Sequence, residues 1–334
     1  MRTVKFKNAP SIIGSGNIVG SKEGEGPLGK CFDRVVSDPM FGEKNWEAAE
    51  SKFLRGAVRL ALSSAKLERC EVMFSGDLQN QCTSTYFSAR ELDIPLFGIY
   101  GACSTFSEGL TLAAMAVSGG FFKTAAAAAS SHFCSAEKQF RTPLEYGGQR
   151  PPTAQWTVTG AAAVILGMSD TPPYVTSATV GRIRDRGVTD PNNMGAAMAP
   201  AFADTIITHF KETNTTPSDY DLILSGDLGR VGGGIATELI ENAGYDISEK
   251  YKDCGNMIFD EGQDVHAGGS GCACSGAVVT GHILKEIKNG TLGNVLFAAT
   301  GAMLNRSSTL RGESIPGISY AVTISGQKSF GCRQ

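Results

Sequence analysis

The sequence predicts an α/β fold made twice, with a buried apolar helix at the centre of each copy. Two observations carry this. Ser75-Gly76-Asp77-Leu78 returns letter for letter as Ser225-Gly226-Asp227-Leu228, each time after an apolar β-like run and ahead of a glycine-rich turn. The register then holds over whole elements. Val72-Met73-Phe74, Gly101-Ala102-Cys103-Ser104, an apolar helix to Gly119-Gly120 and a strand from Thr124 to Ser130 make the first copy. Leu222-Ile223-Leu224, Gly268-Gly269-Ser270-Gly271-Cys272, an apolar helix ending near Gly290 and a strand from Asn294 to Thr300 make the second. Repetition on this scale marks a supersecondary unit whose copies bury their apolar faces together. Halves of 1–170 and 171–334 follow, with the repeated turns expected to face one shared site.

Within the first half, Ser11 to Val19 reads as a strand, and Glu23 to Asp38, rich in Gly, Pro and Lys, as an exposed excursion. Trp46 to Lys66 places Phe53, Leu54, Ala57, Val58, Ala61 and Leu62 at the period of an amphipathic helix. Ser104 to Ser118 differs, because Phe106, Leu110, Leu112, Met115 and the alanines around them leave no broad polar face. A helix that is apolar all round is a buried one. Its counterpart, Cys274 to Ile287, is apolar until Lys285-Glu286, so both are expected between two sheets. Segment 131–159 carries Lys138, Arg141, Glu145, Arg150 and Pro151-Pro152, and reads as an inserted lid, binding wall or subunit contact. The second half opens with a strand from Tyr174 to Ile183 and a helix from Met198 to Lys211.

Composition sets the outer bounds. Of 334 residues, 42% are hydrophobic and 19% charged, which excludes a disordered chain. A net charge of -3 and the lack of any Lys/Arg cluster argue against nucleic acid as a partner. The basic start Met1 to Lys7 leads into no long apolar segment, and no run approaches the ~20 residues of a membrane span. The expectation is a soluble chain without signal peptide or transmembrane segment. Nine cysteines, an odd number, point to reduced thiols. Cys272-x-Cys274 lacks zinc spacing, Gly14-x-Gly16-x-x-x-Gly20 misses the dinucleotide spacing, and Gly232-Gly233-Gly234 lacks the Lys-Ser/Thr of a P-loop. Neither metal nor cofactor is expected.

Cys103 sits where an apolar strand, Pro95 to Tyr100, turns into a buried helix, so its thiol is aimed at a helix N-terminus that favours thiolate and bound anions. The same amides could stabilise an oxyanion. A plain buried thiol is the alternative, since free Cys is among the most buried residue types. His266, before the equivalent glycine turn, could meet Cys103 across the pseudo-dyad as a nucleophile and base, or could simply pack at a loop. His132 is a second candidate. Arg141, Arg150 and Lys138 suit a carboxylated ligand, because a guanidinium holds a carboxylate through two parallel hydrogen bonds; a solvated loop or subunit contact would suit them as well.

Together these residues carry a resemblance. The duplicated plan with Gly101-Ala102-Cys103-Ser104 at a buried helix start resembles the thiolase and ketoacyl-synthase fold, a duplicated α-β-α-β-α five-layer architecture with two central helices. More closely, the chain resembles the stage V sporulation protein AD family. The matching segments include Glu25 to Gly29, Lys44 to Glu47, Ser75 to Leu78, Gly101 to Thr105, Ser130-Ser131-His132, Gln139 to Arg141, Glu145 to Gln149, Ser177 to Arg182, Met198 to Pro200, Asp253-Cys254-Gly255 and Ala267 to Ser275. The resemblance implies non-catalytic binding of pyridine-2,6-dicarboxylate, alone or as its calcium chelate, during uptake into the developing spore, with a role in sporulation and germination. It implies other stage V sporulation A-operon membrane proteins as partners, peripheral association with the forespore inner membrane through them, and a homodimer. Under that reading Cys103 and Ser104 floor the cleft, Arg141 and Arg150 take the carboxylates, and His132, Gln149, Asp185, Cys254 and His266 complete its walls.

The chain departs from catalytic relatives of that fold. They place Asn or His after the strand that here ends at Leu224, where this chain has Ser225-Gly226-Asp227; Cys272 stands where the last glycine of their His-x-x-Gly-x-x-Gly motif belongs. An incomplete catalytic set favours binding. The competing expectation is an acyl-transfer enzyme with Cys103 as nucleophile, His266 as base and the 101–104 amides around the oxyanion.

Overall fold

A computed structural model describes residues 1–140 and 149–328. In chain order the first half holds β1 (Thr3–Lys5), β2 (Ser11–Gly20), α1 (Ser21–Gly24), β3 (Arg34–Val36), α2 (Trp46–Ser64), β4 (Val72–Gly76), α3 (Thr83–Leu92), β5 (Leu96–Gly98), α4 (Thr105–Ser118), β6 (Thr124–Ser131), α5 (Phe133–Phe140), β7 (Trp156–Thr157) and β8 (Gly160–Gly167). The second holds β9 (Tyr174–Thr179), α6 (Met194–Thr213), β10 (Leu222–Ser225), α7 (Gly229–Glu241), β11 (Tyr251–Asp253), α8 (Cys254–Ile258), β12 (Gly269–Ser270), α9 (Cys272–Val278), α10 (Leu284–Lys288), β13 (Asn294–Ala302), α11 (Arg306–Leu310) and β14 (Gly317–Ser325).

The duplication is visible in the hydrogen bonding. In the first half β4 runs parallel to β5 and β6, β6 antiparallel to β8, and β8 antiparallel to β2. In the second β10 runs parallel to β11 and β13, β13 antiparallel to β14, and β14 antiparallel to β9. The two five-stranded units meet where Ser11 pairs with Tyr174. The inner parallel strands β4 and β10 are fully buried, apolar over most of their length, as strands covered on both faces must be.

α2 starts where the Asn45 side chain accepts from Ala48 N at 2.8 Å, and its buried face of Phe53, Leu54, Ala57, Val58 and Ala61 lies on β2 and β8. Glycines in β2 let it come close: a Cβ at Gly14 would stand 2.3 Å from Ala61 O and one at Gly16 2.6 Å from Ala57 O. α4 packs on strands of both five-stranded units, on β4, β6 and β8 of the first and on β13 and β14 of the second. Phe106 and Leu110 are fully enclosed there. Its counterpart runs from α9 through a π turn at Val279–Ile283 into α10, one continuous central rod. Among the described residues no helix is long and apolar enough to cross a membrane.

One local reading changes, and two features were not foreseen. The expected excursion Glu23 to Asp38 contains α1 and β3, and Glu23 is only 1% exposed, its carboxylate accepting from Thr159 N at 2.9 Å. Burial without full compensation pushes that carboxyl up to about 7. β1, unforeseen, pairs antiparallel with β9, so the N-terminus joins the second-half sheet. The run Gly232-Gly233-Gly234 lies within α7, and the glycine at 232 lets α7 cross α6 closely, since a Cβ there would meet Gly195 O at 2.7 Å.

Candidate functional site

The site is assembled from the two repeated turns. After β5 the chain passes through Gly101 and Ala102, whose φ of 49° is left-handed, and delivers Cys103 to the start of α4. The turn is locked by its own hydroxyls: Ser104 Oγ donates to Gly101 O at 2.6 Å, and Thr105 Oγ1 donates to Ala102 O at 2.6 Å while accepting from Gly101 N at 3.1 Å. From the other half, Cys272 Sγ donates to Ala102 O at 3.0 Å, tying the start of α9 to the Cys103 turn. A glycine expected at 272 on the enzyme pattern could not make this bond.

Cys103 meets a carboxyl group, not an imidazole. Its thiol is hydrogen-bonded to Asp227, whose carboxylate also accepts from Thr300 Oγ1 at 2.8 Å and Gly271 N at 3.3 Å. Burial pushes the Asp227 carboxyl up to about 7, and the nearby Asp253 charge adds to this. Burial first, then the Asp227 charge, hold the Cys103 thiol well above the ordinary thiol range. At neutral pH Cys103 is therefore a protonated thiol. The two copies of Ser-Gly-Asp-Leu have diverged in role, since Asp77 turns into its own half and accepts from Thr85 N at 2.8 Å, Thr85 Oγ1 at 2.6 Å and Gln79 N at 2.8 Å.

Cys103 lines a cavity of about 190 Å³ together with Thr157 and Ser270. Leu78, Tyr100, Phe140, Met194, Leu304 and Leu310 give it apolar walls, and Glu137, Arg150, Gln155, Asn192 and Arg306 supply polar groups. β7 pairs parallel with β12, Trp156 beside Gly269 and Thr157 beside Ser270, which fastens the segment bearing Arg150 to the second half. Arg150 donates to Gln155 O and lies 4.9 Å from the Trp156 ring, itself stacked on Phe133 with centroids 3.8 Å apart.

Of the residues named from the sequence, Cys103 and Arg150 line the cavity. The others are placed elsewhere. Ser104 spends its hydroxyl on the turn. His132 is buried against Trp46 and Phe53, with Nε2 2.8 Å from Pro39 O, and burial lowers its pKa. Cys254 is enclosed at the start of α8. Asp185 is exposed and accepts from Ser314 Oγ at 2.6 Å, and Gln149 is exposed outside the lining. His266 points its Nε2 toward Asp264 Oδ1, 3.9 Å away, and no Cys103/His266 pair forms. The loop is held where it is by its backbone, His266 O accepting from Arg230 Nη2 at 2.6 Å and Ala267 N donating to Ala154 O at 2.9 Å. Arg141 lies outside the described residues. Sequence reading missed Asp227 as the thiol's partner and Ser270 as a cavity residue, although both stand in the repeated motifs, and missed Asn192 and Arg306, which no motif marks. Among the described residues no set of His, Cys, Asp and Glu side chains is grouped to hold a metal ion.

The family model of stage V sporulation protein AD matches residues 1–325. The chain belongs to that family. It is 45% identical over 323 residues to stage V sporulation protein AD of Bacillus subtilis (strain 168), covering 96% of each chain. Solved structures with the same fold include 3-oxoacyl-[acyl-carrier-protein] synthase III from Aquifex aeolicus VF5, with a TM-score of 0.59, 14% identity and coverage of 95% of this chain and 99% of that one. OleA from Xanthomonas campestris with bound acetamide matches with a TM-score of 0.62, 15% identity and coverage of 96% and 100%. This chain thus has the thiolase-like fold of condensing enzymes within a sporulation family.

Proposed function

We propose that this chain binds pyridine-2,6-dicarboxylate without transforming it, during uptake of that ligand into the developing spore, and hands it to membrane partners of the same sporulation system. The observation that carries this reading is the pairing of Cys103 with Asp227 at the foot of a cavity rimmed by arginines. A condensing enzyme of this fold needs an activated thiolate, whereas here burial and the Asp227 charge hold the Cys103 thiol protonated and no Cys103/His266 pair forms. Tyr100, Phe140 and Met194 suit a flat aromatic ring, and Arg150 suits a carboxylate.

Calorimetric titration with pyridine-2,6-dicarboxylate should give saturable binding, weakened on the order of tenfold to a hundredfold by Arg150→Gln, with no response to acetyl-CoA or malonyl-CoA. Acyl-CoA binding with a mass increase on Cys103, and no dicarboxylate heat, would make the chain an acyl-transfer enzyme instead.

A homodimer belongs to the same proposal. β5 pairs with β4 on one side, and near its other edge Phe97 is 55% exposed, with Tyr86, Phe87 and Tyr100 also open to solvent. Two such edges are self-complementary about a two-fold axis. Phe97→Glu is expected to convert the dimer to monomer in light scattering; an unchanged mass would place the interface elsewhere.

A further inference from the structure

The cavity carries guanidinium groups from both halves of the duplication. Arg150 comes from the first half and is held in place by Gln155 O and the Trp156 ring. Arg306 comes from the second half, as the first residue of α11. Its backbone is anchored, since Asn305 Oδ1 caps the helix by accepting from Ser307 N at 2.8 Å and Ser308 N at 3.4 Å. Its side chain is exposed, reaches the cavity lining and makes no hydrogen bond or ion pair among the described residues. The neighbouring Arg311 is different, being paired with Glu313 at 2.9 Å. The same cavity is lined by the apolar side chains of Tyr100, Phe140, Met194 and Leu304. That is the arrangement a flat, rigid ligand with an anionic group at each side would satisfy.

We propose that Arg306 is the specificity-determining residue of this cavity, the group that separates aromatic dicarboxylates from aromatic monocarboxylates. The inference rests on the dicarboxylate reading and adds a division of labour to it. Arg150, pre-positioned by its stacking, engages the first carboxylate that either class of ligand offers. Arg306 engages a second carboxylate, and a monocarboxylate leaves it as it is without ligand, hydrated at the cavity mouth. Its loss should therefore be felt by one class alone. A charge-assisted contact of this kind is worth on the order of tenfold to a hundredfold in affinity. Lysine would keep the charge and lose the bidentate fork, so part of the preference should survive.

The test is calorimetric titration of wild type, Arg306→Gln, Arg306→Lys and Arg311→Gln with pyridine-2,6-dicarboxylate and pyridine-2-carboxylate. Arg306→Gln is expected to lower dicarboxylate affinity on the order of tenfold to a hundredfold and leave monocarboxylate affinity unchanged, with Arg306→Lys between and Arg311→Gln like wild type. Arg306 is exposed, so thermal unfolding should not move. If wild type binds neither ligand, the dicarboxylate reading falls and this inference with it. If wild type prefers the dicarboxylate and Arg306→Gln keeps that preference, or weakens both ligands equally, the inference about Arg306 is overturned and the dicarboxylate reading stands.

Discussion

Alanine in place of Gly301 is expected to lower stability by about 3 kcal/mol and to abolish saturable dicarboxylate binding. A Cβ there would stand 2.1 Å from Gly101 O and 3.1 Å from Ser104 Oγ. Neither atom can swing aside cheaply, because Gly101 O accepts from both Ser104 N at 3.1 Å and Ser104 Oγ at 2.6 Å, and those bonds hold Cys103 at the start of α4. The strain would pass directly into the cavity floor. Chemical denaturation and calorimetry check this, with Gly234→Ala as the contrast. Gly234 is exposed inside α7 with nothing near its missing Cβ, so alanine there should stabilise by about 0.5–1 kcal/mol through helix propensity. Wild-type stability and binding in Gly301→Ala would mean that β13 does not constrain the Cys103 turn.

Asp227→Asn should raise the alkylation rate of Cys103, on the order of tenfold for each unit by which the thiol pKa falls. Wild-type Cys103 is expected to resist iodoacetamide near neutral pH, with the partly exposed Cys31 as internal reference. Burial disfavours the thiolate in both proteins, and the substitution removes the Asp227 charge while keeping the side chain's shape. Peptide mapping by mass spectrometry reads the rate. Rapid labelling of wild-type Cys103 would mark an activated nucleophile and favour acyl transfer.

The same substitution carries a stability signature. A carboxyl raised from 3.8 to about 7 keeps a proton in the folded chain that the unfolded chain has released, so stability declines as pH rises from about 4 to about 7 and stays lowered above. Asp227→Asn should make that slope shallower. It should not flatten it, because Asp253, raised to about 6, and Glu50, raised to about 8, act in the same direction.

How much of this was legible varied with the range of the cause. The central helices announced themselves, because a helix without a polar face has nowhere to go but between layers. α2 was visible from its apolar period, whereas the Asn45 cap that starts it came only with the structure. β1 was not, since a short polar strand exists only because β9 offers it an edge. Glu23 read as solvent-facing from its polar neighbours and is buried by a contact to Thr159, far away in the chain. Cys103 was found from its strand-to-helix turn, whereas Arg306 carries no local mark at all.

The sequence by itself determined that the fold is duplicated, that its two copies share a register, and that Cys103 opens a buried helix. Periodicity and repetition are local properties, and they need no knowledge of what lies across the pseudo-dyad. Tertiary structure alone decided which groups meet. It gave the thiol Asp227 in place of His266, gave Ala102 the Cys272 thiol, and brought Arg150 and Arg306 to one cavity from opposite halves. Each of these joins residues more than a hundred positions apart, and such pairings are set by how the two sheets pack on the central helices rather than by any pattern along the chain.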